Sequence, residues 1–120
     1  MIVFEQIRNA TVTLHYSGVT FMIDPWRMDA CEPSERNEAL TAHRFISKPV
    51  CPLPDKVEKL IKDTDVFLLT HFHPDHFSSD YLPADARIVC GNETAAARLK
   101  DAGFVNVQRF EDETMQFPGV

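Results

Sequence analysis

Val66-Phe67-Leu68-Leu69-Thr70-His71-Phe72-His73-Pro74-Asp75-His76-Phe77 is the stretch whose reading decides the fold. Four apolar residues without alternation imply a strand covered on both faces, as in a layered α/β sheet. Three of the five histidines and an aspartate then follow within six residues. Residues two apart lie on one side of an extended segment, so His71 and His73 can aim both imidazoles at one point; helical spacing would not allow it. Pro74 turns the chain, and Asp75 and His76 leave in a different direction, which suits a second metal about 3.5–4 Å from the first. Mixed imidazole and carboxylate donors fit zinc, manganese or iron better than magnesium or calcium. The competing reading is four polar residues on a surface loop. Such histidine density directly behind a buried strand argues against it.

Upstream, Ile2 to Ile7 has strand composition. Thr11 to Tyr16 alternates, with Val12, Leu14 and Tyr16 on one face and Thr11, Thr13 and His15 on the other. Ser17-Gly18 supplies a turn and Val19 to Ile23 returns as a strand, which predicts a β-hairpin. His15, among threonines, reads as a surface or partly buried side chain. Asp24-Pro25-Trp26 stops the hairpin. Residues 27–54, with Pro33, Pro49, Pro52 and Pro54, read as a long irregular connection. Its His43, Arg44 and Lys48 are either a cover over a site or solvated surface. Asp55 is read as opening a helix, with Glu58 completing a capping-box-like pair and Val57, Leu60 and Ile61 as the apolar stripe.

Downstream, Ser78 to Leu82 reads as a helical turn and Arg87 to Cys90 as a strand. Asn92 caps a helix with the stripe Ala95, Ala96, Leu99 and Ala102, ended by Gly103. Phe104 to Val107 reads as a further strand, and Glu111 to Phe117 as the start of another. The element order places the histidine cluster at the carboxyl end of a buried strand, where open α/β sheets bind ligands.

The chain has 120 residues, enough for one domain with its own core over residues 1–120. A formal charge of −6 speaks against nucleic acid as the main partner. No apolar run approaches the ~20 residues that span a bilayer, and the N-terminus lacks a secretory pattern. Three scattered cysteines without a C-x-x-C pair suggest reduced thiols and a cytoplasmic location. Cys90, after Ile88-Val89, reads as a packing residue.

His71-Phe72-His73-Pro74-Asp75-His76 is similar to the H-x-H-x-D-H signature of the metallo-β-lactamase superfamily. Arg8-Asn9-Ala10-Thr11 and Phe21-Met22-Ile23-Asp24-Pro25 resemble the opening of the branch that includes L-ascorbate-6-phosphate-lactonase-like and other metal-dependent hydrolases. Many members carry a histidine where Asn9 stands. The resemblance implies an α/β fold: the N-terminal αβ half of an αββα sandwich, beginning with a β-hairpin. It implies a hydrolase in which a metal-bound hydroxide attacks an ester, lactone, amide or phosphoester of a small-molecule substrate. His71 and His73 would bind one divalent ion, and Asp75 and His76 a second. Asp75 would also act catalytically by orienting the water, with Asp24 in support. Zinc is the expected metal, manganese and iron being compatible, and two ions belong to the complete fold. The family's later half supplies further ligands, yet no histidine follows His76 here. An open sheet face would favour a homo-oligomer that covers it. The rival readings are a non-catalytic metal-binding or assembly module, and a truncated gene product without its own activity.

Overall fold

The computed structural model describes residues 1–26, 33–43, 49, 51–70, 77 and 82–110. Three antiparallel strands open the chain: β1 (Ile2–Arg8), β2 (Thr11–Tyr16) and β3 (Val19–Ile23). The β2–β3 hairpin turns at Ser17 and Gly18, with φ of 51° and 82°. Positive φ at both positions matches the twist of the flanking strands, and glycine takes it without steric cost. Strands β4 (Val66–Leu69), β5 (Ile88–Cys90) and β6 (Val107–Arg109) continue the sheet in parallel from β3, in the order β1-β2-β3-β4-β5-β6.

Side-chain alternation sends Met22, Phe67, Leu69, Ile88 and Cys90 to one face. There they form the main core with Val57 and Ile61 of α2 (Val57–Lys62) and Ala95, Ala96 and Leu99 of α3 (Glu93–Asp101). The opposite face carries a second apolar cluster of Phe21, Val66 and Val89, flanked by the half-buried Leu14, Val19 and Leu68. Strand β4 therefore contributes to both layers, as its unbroken apolar run predicted. Helix α3 begins where Asn92, in an extended conformation, accepts a hydrogen bond from the Ala95 N–H at 2.8 Å. It stops before Gly103 at φ 100°. The ion pair of Arg109 with Glu93, at 3.1 Å, ties β6 to the start of that helix.

Three sequence readings are corrected. Residues 27–54 are not irregular throughout: α1 spans Pro33–Thr41. Proline suits the first helical turn, and Ser34 to Leu40 contains good helix formers without an apolar stripe, so periodicity gave no sign of it. Asp55 does not cap α2. The helix starts two residues later with Lys56 as its N-cap and no side-chain cap, and the Val57 N–H donates to the Pro54 carbonyl at 3.1 Å. The last strand begins at Val107, not Phe104, because Phe104 turns into the core and meets Phe77 edge-on at 6.2 Å. In β2 the alternation holds, and the threonine face is the buried one: Thr11 and Thr13 are 2% and 0% exposed, whereas Tyr16 is exposed. The threonines lie on the face that other segments cover, and Val12 and Leu14 are only half-buried. His15 is half-buried, sharing a 2.9 Å hydrogen bond with Thr20 Oγ1, as its reading allowed. Ser78 to Tyr81 and Glu111 to Phe117 lie outside the described residues.

Candidate metal centre

The site is built outward from Asp24, which is 3% exposed and sits immediately after β3. Its N–H continues the ladder to β4 by donating to the Leu68 carbonyl at 2.8 Å. Its φ is 47°, a conformation in which short polar side chains are enriched. In that conformation the carboxylate grips the residue after β4 twice. Oδ1 accepts from the Thr70 N–H at 2.8 Å, and Oδ2 from the Thr70 hydroxyl at 2.6 Å. Hydrogen bonds to an ionised acceptor are roughly twice as strong as neutral ones. Thr70 directly precedes His71, so the histidine run departs from a fixed anchor.

Asp24 is itself held in place. The Thr11 hydroxyl donates to the Asp24 carbonyl at 2.7 Å and accepts from the Trp26 N–H at 3.2 Å. Beside them Arg8, 3% exposed, stacks on the Trp26 ring at 5.4 Å. Its guanidinium donates to the Cys51 carbonyl at 3.1 Å and, more weakly, to the Trp26 carbonyl at 3.4 Å. The ends of β1 and β3, the start of β2 and the segment around Cys51 are thereby joined at one edge of the sheet. Asn9, by contrast, is exposed in the β1–β2 turn at φ 51°.

The other side of Thr70 faces Gly91 at the end of β5. A Cβ at position 91 would lie 3.3 Å from the Thr70 carbonyl, so glycine permits a close approach that a larger residue would crowd. Cys90 next to it is 1% exposed, and burial pushes its thiol above the ordinary value. The thiol is therefore a neutral packing group, as its sequence position suggested. Its sulfur lies 3.6 Å from the Gln108 carbonyl and 3.7 Å from that of Asn92, distances at which a thiol donates weakly.

His71, His73, Asp75 and His76 lie outside the described residues. Among the described residues, no group of three or more histidine, cysteine, aspartate or glutamate side chains could hold a metal. The Asp24 carboxylate is engaged with Thr70, the residue before that run. Thr70, Gly91, Thr11 and Trp26 were not singled out in the sequence for this role. The adjacency of Thr70 to His71 was the available signal for the first of them.

Residues 5–118 match the Beta-lactamase superfamily domain. The chain belongs to the β-lactamase superfamily. It is 30% identical over 118 residues to UPF0173 protein YddR of Bacillus subtilis (strain 168), covering 96% of this chain and 45% of that protein. A solved isothiocyanate hydrolase from Delia radicum gut bacteria superposes with a TM-score of 0.74 at 35% identity, over 92% of this chain and 41% of the other. A structure described as a possible metal-dependent hydrolase from Veillonella parvula DSM 2008 gives a TM-score of 0.78 at 24% identity, over 97% and 44%. That last likeness speaks for the fold alone. The chain thus spans less than half the length of these relatives, and it corresponds to the N-terminal part of the superfamily fold. No described helix is long and apolar enough to cross a membrane.

Proposed function

We propose that this chain is the N-terminal part of a metal-dependent hydrolase acting on a small-molecule ester, lactone, amide or phosphoester. The observation that carries the reading is the double hydrogen bond from Thr70 to the buried Asp24 carboxylate. It fixes the end of β4 one residue before the His-x-His-x-Asp-His run. Membership of the superfamily supports it, as does the likeness to an isothiocyanate hydrolase. Isothiocyanates, like esters, carry an electrophilic carbon that water can attack.

His71 and His73 would hold one divalent ion and Asp75 with His76 a second. The donor chemistry suits zinc, with manganese and iron as alternatives. When bound, such ions supply a water ionised near neutral pH and positive charge for a developing oxyanion. Asp75 would orient that water. The part of Asp24 is to hold Thr70, and through it the start of the ligand run, before any ion arrives. A pre-set scaffold spares the reacting groups reorganisation.

Coverage of less than half of each relative favours a second reading, in which the chain alone binds metal without turnover. Elemental analysis of the purified chain, beside a version extended past Val120, tests both. Bound zinc, manganese or iron that disappears in the His71→Ala plus His73→Ala variant is the expected result. Metal content unchanged by those substitutions would sink the ligand assignment. Metal without hydrolysis in the short chain, and hydrolysis in the extended one, would separate the two readings. A homo-oligomer that covers the apolar sheet face and a cytoplasmic location complete the proposal.

A further inference from the structure

Arg8 ends β1 at the carboxyl edge of the sheet. Strands β1 and β3 both run antiparallel to β2, so their ends share the edge at which β4 delivers Thr70. Across the irregularity in the β1–β2 ladder Arg8 pairs with Thr11, whose hydroxyl holds Asp24 and Trp26. We infer that Arg8 is a positioning residue of the metal centre. It locks the segment around Cys51 to the edge from which the ligand run departs, which makes that segment a fixed side of the site. The assignment rests on the hydrolase reading above.

Burial is the first support. Arg8 is 3% exposed, and this chain's own residues enclose it, so nothing that packs on the open sheet face is needed to bury it. Taking a guanidinium out of water is costly, and an apolar side chain of similar volume in such a place is often neutral or stabilising. Cohesion alone is therefore a poor account of an arginine here. Geometry is the second. One arm of the guanidinium donates to the Cys51 carbonyl at 3.1 Å and the other to the Trp26 carbonyl at 3.4 Å, while its plane stacks on the Trp26 ring at 5.4 Å. A planar fork can fix two carbonyls far apart in the chain; an ammonium, a point charge on a flexible stem, does not. The segment it holds is the third. Pro49 is wholly buried and Leu53 packs against the main core, with Cys51 exposed between them. Pro49, Pro52 and Pro54 have no N–H to donate, so carbonyls are the handles by which this segment is tied down. Arg8 takes the one at its middle.

Nitrogen-15 NMR of the 120-residue chain, with and without zinc, tests the inference beside Arg8→Met and Arg8→Lys. In the native chain the Cys51 and Leu53 amides should be as rigid as the strands, with order parameters of about 0.85, falling below about 0.6 in both variants. Zinc should shift the Thr70 amide in all three chains, because Asp24 holds it in each. It should shift the Leu53 amide in the native chain alone, a separation that a merely structural arginine would not produce. Circular dichroism checks that each variant folds; should Arg8→Met fail, Arg8→Lys keeps the charge and remains decisive. Variants whose Leu53 amide stays rigid and still responds to zinc overturn the inference. A native Leu53 amide that is mobile, or indifferent to bound zinc, overturns it without any variant and leaves the hydrolase reading standing. A native chain that takes up no zinc refutes the hydrolase reading, and the inference falls with it.

Discussion

At the residue scale the decisive contact is between Asp24 and Thr70, and Gly91 depends on it. Asp24→Ala would leave the Thr70 N–H without its carboxylate and place a residue with a plain Cβ at φ 47°. The loss should be about 3 kcal/mol in denaturant unfolding. Asp24→Asn keeps one acceptor and tolerates the backbone, so about 1 kcal/mol is expected. Gly91→Ala puts a methyl group 3.3 Å from a Thr70 carbonyl that cannot yield while Asp24 grips it. It should cost about 1 kcal/mol alone and less in the Asp24→Ala background, a coupling that a double-mutant cycle measures. Additive costs would disprove the shared anchor. Cys90 gives the pH prediction. Burial raises its pKa in the folded chain, so above the ordinary thiol range the unfolded chain loses its proton first. Stability is thus fully present below that range and falls as pH rises through it, because the folded state binds more protons. Denaturant midpoints of Cys90→Ala should fall less steeply from about pH 8.5 upward. In the same range iodoacetamide should label the exposed Cys51 well before the buried Cys90. The sequence made Asp24 visible as a turn residue and a family feature. It could not show Gly91, whose importance is a distance between two strand ends far apart in the chain.

At the element scale, local chemistry was legible where it acts through the backbone. Asn92 and Gly103 bracket α3 as read, and Asn92→Ala should destabilise the chain by about 1 kcal/mol, measured by thermal unfolding. Asp55 marks the limit of such reasoning: the capping pattern is present, but the turn at Pro54 sets the helix start two residues later. A second limit is α1, which carries little apolar patterning, so the prolines around it dominated the reading. In β2 the alternation was legible, and which of its two faces is covered was not. Period-two patterning says which residues share a face; it does not say which face is covered when Thr11 can satisfy its hydroxyl with Asp24 and Trp26. The histidine run stood out for the opposite reason, since imidazoles two apart behind an apolar strand have few uses besides ligation.

At the scale of the whole molecule, the sheet has unequal sides. Helices α2 and α3 cover one, and on the other the apolar residues become more exposed toward β1. Phe4 pairs across to Leu14 and Ile2 to Tyr16, and Phe4 and Ile2 are each 65% exposed while Tyr16 is 42% exposed. Six strands spaced about 4.8 Å apart, with some five residues each, present roughly 400 Å² of flat face, and the longer β1 and β2 supply about half of that. A standard stable interface needs about 800 Å² of accessible surface from each partner. Association through this flank should therefore be weak and rise with concentration, giving a light-scattering mass between one and two copies instead of a fixed dimer. Ile2→Thr plus Phe4→Thr keeps strand propensity while removing apolar area, and should return the mass to that of a single chain. A native chain that stays monomeric over the whole range, or a variant that associates as strongly as the native chain, would rule out this flank as the contact.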